Sequence, residues 1–480
     1  MAGLQHPFQC LQYAKRNSQG VFNLLIAAAG CHLYSYDATN GQRLDVWPQD
    51  VESTVESASD AVATADGDAP PEKRRKLSPA SSDQQEKQVA SNKSSAGTTI
   101  PLLVISPDGK YAIATTGEGK TIRVFELSDN GKFKELSSRT MPKRPSALAL
   151  TPDGQTILCG DKFGDVYSLP LIPGEYVRKI VEQPNIPAAT PLTVHTKGNL
   201  RTLEMQRLQA EKKAQTAKQE TATLNFEHHA IIGHVSVLAD LISVSVSGRN
   251  YILTGDRDEH IRVSRGIPQA HVIEQFCLGH TSLVSKLCVP SWAPELLVSG
   301  DTDGNLLLWD WRNAQIHRNI SLEEVLQSEV MVRGIWDISL EQAASSPVNV
   351  ILVSLEGSSQ ILCYTIENNA LRAQDTIQLS GNVLGLVGID QGYIVVSVDT
   401  VREPGSTETW KSSSGALLES FQINLGPDGP KCVSVEDPMV ATINAAGTRD
   451  LPTALSEKQQ KELNDSLYNL GNMKKRSNDD

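Results

Sequence analysis

The stretch Gly300-Asp301-Thr302-Asp303-Gly304-Asn305-Leu306-Leu307-Leu308-Trp309-Asp310 decides the fold of this chain, because weaker copies of it recur. Aligned on Gly300 they read Gly117-Glu118-Gly119-Lys120-Thr121-Ile122-Arg123-Val124-Phe125, one residue shorter, then Gly160-Asp161-Lys162-Phe163-Gly164-Asp165-Val166-Tyr167, and Gly255-Asp256-Arg257-Asp258-Glu259-His260-Ile261-Arg262-Val263. Where no insertion intervenes the copies lie about 43 to 45 residues apart, the spacing of one propeller blade. Each Gly-Asp cluster makes a turn between two strands, and the β-branched and aliphatic run after it is a strand. Units of this kind bury their apolar faces on one another, so the chain reads as an all-β propeller.

The repeat is of the WD type. Blades begin near Val21, Thr99, Lys143, His228, Phe276, Val330 and Gly381, which makes about seven four-stranded blades, within the usual four to eight. Gly233-His234 and Gly279-His280 precede the two best copies. In WD-type blades such a histidine bonds the turn carboxylate, which here pairs His234 with Asp258 and His280 with Asp303, with Trp309 closing the strand. A buried polar group left unsatisfied costs roughly 1 to 3 kcal/mol, so these residues read as a structural blade network rather than as a catalytic or metal site.

Three segments depart from the repeat. Residues 1–47 hold the first blade, and 48–97 form a Ser-, Ala-, Asp- and Glu-rich insertion too poor in aromatics to order itself. Residues 98–449 carry the remaining blades, interrupted at about 199–220 by a run of good helix formers with a thin apolar stripe. In the tail, residues 450–480, Ser456 with Glu457 and Gln459 reads as a capping box. Leu463, Leu467 and Leu470 share a helical face, and Gly471 with Lys474, Lys475 and Arg476 supplies the stop. This is a short helix docked on the propeller.

Inside the first insertion Lys73, Arg74, Arg75 and Lys76 follow Pro70-Pro71 and precede Ser78-Pro79. Four consecutive basic residues in a flexible, acidic neighbourhood read as a nuclear import signal, so the expected location is the nucleus. The seven cysteines are scattered without metal spacing, as in a reduced intracellular protein, and no secretory signal or membrane span is expected. Asn92-Lys93-Ser94 and Asn319-Ile320-Ser321 are then chance matches to a glycosylation pattern.

Enzyme signatures are missing. The chain contains no dinucleotide-binding glycine motif after a strand, no phosphate loop leading into a helix, no His-Glu-x-x-His and no nucleophile elbow. Gly117-Glu118-Gly119-Lys120 leads into a strand. A formal charge of −12 argues against the whole surface gripping nucleic acid. Local cations nevertheless gather at turns: Lys143 and Arg144 before the third blade, Lys162 in its Gly-Asp turn, and Arg257 in the equivalent turn of the next blade. Together they form a positive face for an acidic partner or an RNA backbone.

Lys143-Arg144-Pro145, Gly160 to Ser168, Gly233-His234-Val235-Ser236, Asp256 to Ser264 and Gly279-His280 resemble, in combination, the non-catalytic WD-repeat subunit of eukaryotic tRNA (guanine-N7-)-methyltransferase. The closing Leu467-Tyr468-Asn469-Leu470 is similar to the fungal members. The resemblance runs from about Ile100 to the C-terminus. It implies a non-catalytic scaffold that forms a heterodimer with a separate methyltransferase subunit and stabilises it. The catalytic partner would carry S-adenosylmethionine and methylate a guanine N7 in the tRNA variable loop. This chain would hold no cofactor and would meet tRNA mainly through the complex. Lys143, Arg144, Lys162, Arg257, Asp258, Glu259 and Arg262 are the candidate partner-binding residues. Arg262 stands where the matching blade has Leu307, so its charge wants a carboxylate, either Asp258 nearby or one on the partner. Arg262 and Asp258 are expected to support the interface from within, with Lys162 and Arg257 nearer the partner.

A reading from a different class rests on Trp309-Asp310-Trp311-Arg312, which resembles the adaptor-docking motif of substrate receptors of cullin-type ubiquitin ligases. The two readings differ in the company they predict: a methyltransferase and tRNA, or a ligase adaptor.

Overall fold

The computed structural model describes residues 3–16, 23–49, 99–174, 205, 224–340, 348–426, 429–452 and 455–474. The expected insertions at 48–97 and 199–220, with Lys73, Arg74, Arg75 and Lys76, lie outside the described residues apart from Pro48, Gln49 and Met205.

Among the described residues the strands form seven antiparallel sheets, each built from consecutive stretches of sequence. The innermost strands are Cys10–Ala14, Leu102–Ile105, Pro145–Leu150, Leu238–Val246, Val284–Cys288, Val332–Leu340 and Val383–Ile389. Each packs beside the next, and the last beside the first, around a central channel. Six blades have four strands, and the sixth gains Ile377–Gln378 as a fifth. Between every two neighbouring blades lies one apolar cluster, as at Leu158, Val166, Leu238 and Ile252 between blades three and four.

The recurring Gly-Asp now has a physical cause. Gly160, Gly255 and Gly300 stand next to last in the second strands of blades three, four and five, where a Cβ would enter the contact shell of Leu238, Val284 and Val332 in the next blade. Only glycine lets the neighbouring innermost strand approach that closely.

Three expected blade starts shift. His228 precedes and Phe276 falls within the outermost strands of blades three and four, His229–Gly233 and Ile273–Leu278, and the innermost strands follow at Leu238 and Val284. Blade one begins at Cys10, before Val21. The sequence repeat is offset from the blade by one strand, so a frame set on the Gly-His pairs starts on the preceding outer edge.

No blade is shared between the two ends of the described chain; the ring closes by a clasp instead. Gln5 bridges Asp450, His6 N–H donates to Arg449 O at 3.0 Å, and Leu451 N–H donates to Leu4 O at 2.7 Å. The helix Pro438–Ala446, capped by Asp437, buries Met439, Val440 and Ile443 against Phe8, Tyr34 and Tyr36 of blade one. The capping box expected at Ser456 and Gln459 opens the helix Glu457–Leu467. Its Leu463 and Leu467 pack with Tyr468 on Leu384 and Val401 of blade seven, while Leu470 falls in a separate turn, Leu470–Met473.

Candidate partner-binding face

The blade network comes first, because it fixes the turns that present the candidate residues. In blade five His280 Nδ1 meets Asp301 at 2.9 Å, His280 Nε2 meets Ser299 Oγ at 2.6 Å, and Trp309 Nε1 donates to the same hydroxyl at 2.8 Å. In blade four His234 meets Asp256 at 3.0 Å and Thr254 at 2.9 Å. The expected partners Asp258 and Asp303 are therefore replaced by Asp256 and Asp301. The reason is geometric: Asp256 and Asp301 end a strand, lie 4% and 0% exposed, and accept backbone N–H groups two and four residues on, which shapes the turn. Asp303 sits at the tip of that turn and pairs with Lys474 at 2.5 Å. Burial pushes the Asp301 carboxyl up, but the His280 hydrogen bond and charge, with help from Asn305, hold it below the usual range.

Blade three lacks this network. Met141 stands four residues before the innermost strand, as His234 and His280 do, and Cys159 stands where Thr254 and Ser299 do. Asp161 still shapes its turn, accepting from Phe163 N at 2.8 Å and Asp165 N at 3.1 Å through Oδ1. Its Oδ2 is buried with no hydrogen-bond partner, and burial raises its pKa.

That turn carries the most prominent surface feature. Phe163 is 53% exposed, with Lys143 Nζ 4.5 Å and Lys162 Nζ 5.4 Å from its ring centre, so two cations flank one aromatic face. Gly164 has φ +96°, and a Cβ there would strike the His234 and Ser236 carbonyls, so the turn is locked against the entry to blade four. Beside it Val235 is fully exposed. Lys162 N–H donates to Arg144 O at 3.2 Å and Arg257 N–H to Val237 O at 2.9 Å, tying the two turns to their loops. Arg144, Lys162, Phe163 and Arg257 all line the mouth of the channel. Among the described residues none of Lys143, Arg144, Lys162 and Arg257 has a carboxylate at ion-pair distance, and Arg257 Nε is enclosed without a partner.

The opposite arc of the mouth is occupied. Arg333 donates to Glu356 and to Leu467 O, each at 2.6 Å, Leu470 N–H donates to Glu356 at 3.2 Å, and Lys474 reaches Asp303. The C-terminal segment thus roofs blades five to seven and leaves blades three and four open and cationic.

The structure brings Lys143, Arg144, Lys162 and Arg257 to one face and gives Arg262 another task. Arg262, 8% exposed, donates through Nε to Ser264 Oγ at 3.0 Å and through Nη1 to Gly233 O at 3.1 Å, bracing the loop that holds His234. Burial lowers its pKa. Asp258 and Glu259 are half-buried in the blade-four turn, with Glu259 at φ +72°. Phe163 and Val235 escaped the sequence reading; the available signal was an aromatic at a turn position where the matching copies carry Asp258 and Asp303. In the Trp309 to Arg312 segment Trp309 and Trp311 are buried and Asp310 accepts from Asn313, so blade five itself uses them; Arg312 is exposed. The described residues include no cluster of metal-ligating side chains and no helix long and apolar enough to cross a membrane.

Comparison with known proteins supplies the family. The model of the tRNA methyltransferase TRM82 WD40 domain matches residues 25–423. A relative from Aspergillus fumigatus (strain CBS 144.89) is 49% identical over 98% of both chains. One from Aspergillus oryzae is 46% identical over 100% of this chain and 99% of its own. One from Phaeosphaeria nodorum is 34% identical over 98% of both. Each of the three is named tRNA (guanine-N(7)-)-methyltransferase non-catalytic subunit. With that name carried by relatives that span nearly the whole length of both chains, the chain belongs to the TRM82 family of non-catalytic subunits.

Proposed function

We propose that this chain is the scaffold that binds and stabilises the catalytic subunit of a tRNA guanine-N7 methyltransferase, docking it on the open face of blades three and four. The observation that carries the reading is the coincidence, within a chain of this family, of three exposed cations without carboxylate partners and an exposed aromatic on one rigid turn system. Such a face suits a partner offering carboxylates around an apolar contact, because desolvated charge-assisted pairs around an aromatic anchor concentrate binding energy. In this reading Lys143, Arg144, Lys162, Phe163 and Arg257 meet the partner. Arg262 holds the loop beneath them, and Asp258 and Glu259 belong to the turn that presents Arg257. S-adenosylmethionine sits on the partner, and tRNA is met mainly through the complex. The cluster Lys73 to Lys76 directs the chain to the nucleus.

The test is purification of the chain from its own cells at moderate salt, with mass spectrometry of what accompanies it and an assay of the eluate for N7-guanine methylation of tRNA. A near-stoichiometric methyltransferase, with activity that the propeller alone lacks, is the expected result. Charge reversal at Lys143, Lys162 and Arg257 together should release that partner while the unfolding temperature holds. Recovery of a ligase adaptor without methyltransferase would overturn the reading.

A further inference from the structure

The mouth of the central channel encloses about 1180 Å³, and its lining includes five cations and three carboxylates. That is a local excess of positive charge in a chain whose formal charge is −12. The carboxylates do not cancel it evenly. Glu356 accepts from Arg333 and from Leu470 N–H, and Asp465 accepts from Asn472, both under or within the C-terminal roof. Asp240 is held on the wall of blade four by Lys286 Nζ at 3.3 Å and Leu287 N–H at 2.9 Å. On the open arc Arg144, Lys162 and Arg257 line the mouth with no carboxylate at ion-pair distance among the described residues, and Arg257 Nε is closed off from solvent without an acceptor.

The positive charge continues below the rim. Burial pushes the Cys10 thiol, on the blade-one wall, up to about 12, while Arg333 and Lys286 pull against that rise, so their field crosses the channel. Leu148, Leu241, Leu287 and Leu386 make the walls between them apolar. A cleft with low-dielectric walls and one prevailing sign of charge focuses its field and concentrates counter-ions.

We propose that the channel mouth binds a linear oligophosphate, free or carried by a nucleoside, between Arg144, Lys162 and Arg257 with Lys286 beneath. The charges of such a ligand lie along a chain, so one molecule meets cations at the rim and below it, which a single carboxylate or sulfate does not. Guanidinium groups grip phosphate oxygens through paired hydrogen bonds, and a phosphate oxygen supplies the acceptor that Arg257 Nε lacks. The ligand covers three of the cations assigned above to the partner, so an occupied mouth competes with docking. That consequence alone rests on the scaffold reading.

The experiment is titration calorimetry of the full chain, without its partner and at low salt, with inorganic triphosphate as the probe and ATP and inorganic sulfate as further arms. One triphosphate should bind per chain, and sulfate about tenfold more weakly or worse. ATP matching triphosphate assigns recognition to the phosphates alone, and tighter binding of ATP makes a nucleotide the carrier. Arg144→Gln and Arg257→Gln should each weaken triphosphate about tenfold. Lys143 flanks Phe163 and does not line the channel, so Lys143→Gln should change the affinity less than about twofold. No saturable heat from triphosphate, sulfate binding as tightly, or an equal loss from Lys143→Gln would overturn the proposal. Amine acylation mapped by peptides on the unsubstituted chain decides the matter even if a variant folds poorly: bound triphosphate should protect Lys162 and Lys286 and leave Lys143 reactive, and protection of all three or of none counts against the site. Because the partner is absent throughout, these readouts can fail while docking stands, and the reverse.

Discussion

Replacing Phe163 by alanine isolates the apolar part of the proposed interface. An aromatic side chain offers about 150 to 250 Å² for burial; with Phe163 53% exposed, about 100 Å² of it remains for a partner. At about 25 cal/mol per Å², covering that area contributes about 2.5 kcal/mol, which is about 60-fold in Kd. The substitution also removes the ring that Lys143 and Lys162 flank, freeing two flexible cations that must then be ordered on binding. The loss should therefore reach or exceed the area figure. Titration calorimetry of purified chain against purified catalytic subunit reads the affinity directly, and thermal unfolding of the propeller alone provides the control. Because more than half of the ring faces solvent, the unfolding temperature should change little. An affinity within threefold of the parent, with an unchanged unfolding temperature, would refute the assignment of this turn to the interface.

In blade five, His280→Ala leaves Asp301 buried without its histidine, and breaking a buried pair costs about 3 to 5 kcal/mol. The surviving bonds from Asp303 N, Asn305 N and Asn305 Nδ2 keep the loss at the lower end, and adding Asp301→Asn should recover part of it in urea unfolding. Ile443→Ala, fully buried between blades seven and one, should cost about 2 to 5 kcal/mol by the same measurement. For pH, burial lowers both His6 and His32 to about 4. The folded state then binds fewer protons than the unfolded chain between about 4 and 6.5, so stability present above that window falls as pH drops through it. The combined slope should approach about 2.7 kcal/mol per pH unit, about 1.4 from each histidine, and His6→Asn with His32→Asn should flatten it in unfolding titrations.

The seven-bladed ring was legible because its signal is local. A Gly-Asp turn followed by an aliphatic strand repeats, and the glycines are demanded by the neighbouring blade. The capping box at Ser456 is legible for the same reason, since a cap is written within four residues. The carboxylates were misassigned by two positions: sequence offers Asp256 and Asp258, or Asp301 and Asp303, as equals, and only the backbone decides which one points into the blade. The cations of the candidate face were found from turn positions alone. Phe163 was not, because exposure depends on how the turn leaves the sheet. Arg262, counted among the candidate partner-binding residues and expected to support the interface from within, donates to Ser264 and to the carbonyl of Gly233, supplied by the preceding blade, which sequence alone could not place beside it.

The clasp has a consequence for how this protein is made. Each sheet is contiguous in sequence, so every blade can complete its own strand pairing, and pack on the one before it, as soon as it leaves the ribosome. The contacts between Gln5 or His6 and residues 448–450 span nearly the whole chain, and contacts of such high sequence separation form last and slowly. Until then a growing open stack exposes the apolar flank of blade one, including Tyr34, Tyr36 and Leu25. A chain interrupted just before Pro438 would possess every strand yet close blade seven on blade one without the helix and the clasp, leaving Tyr34, Tyr36 and Phe8 short of their cover and the chain prone to associate with its own kind. Quality control of this protein is therefore concentrated in its last few dozen residues.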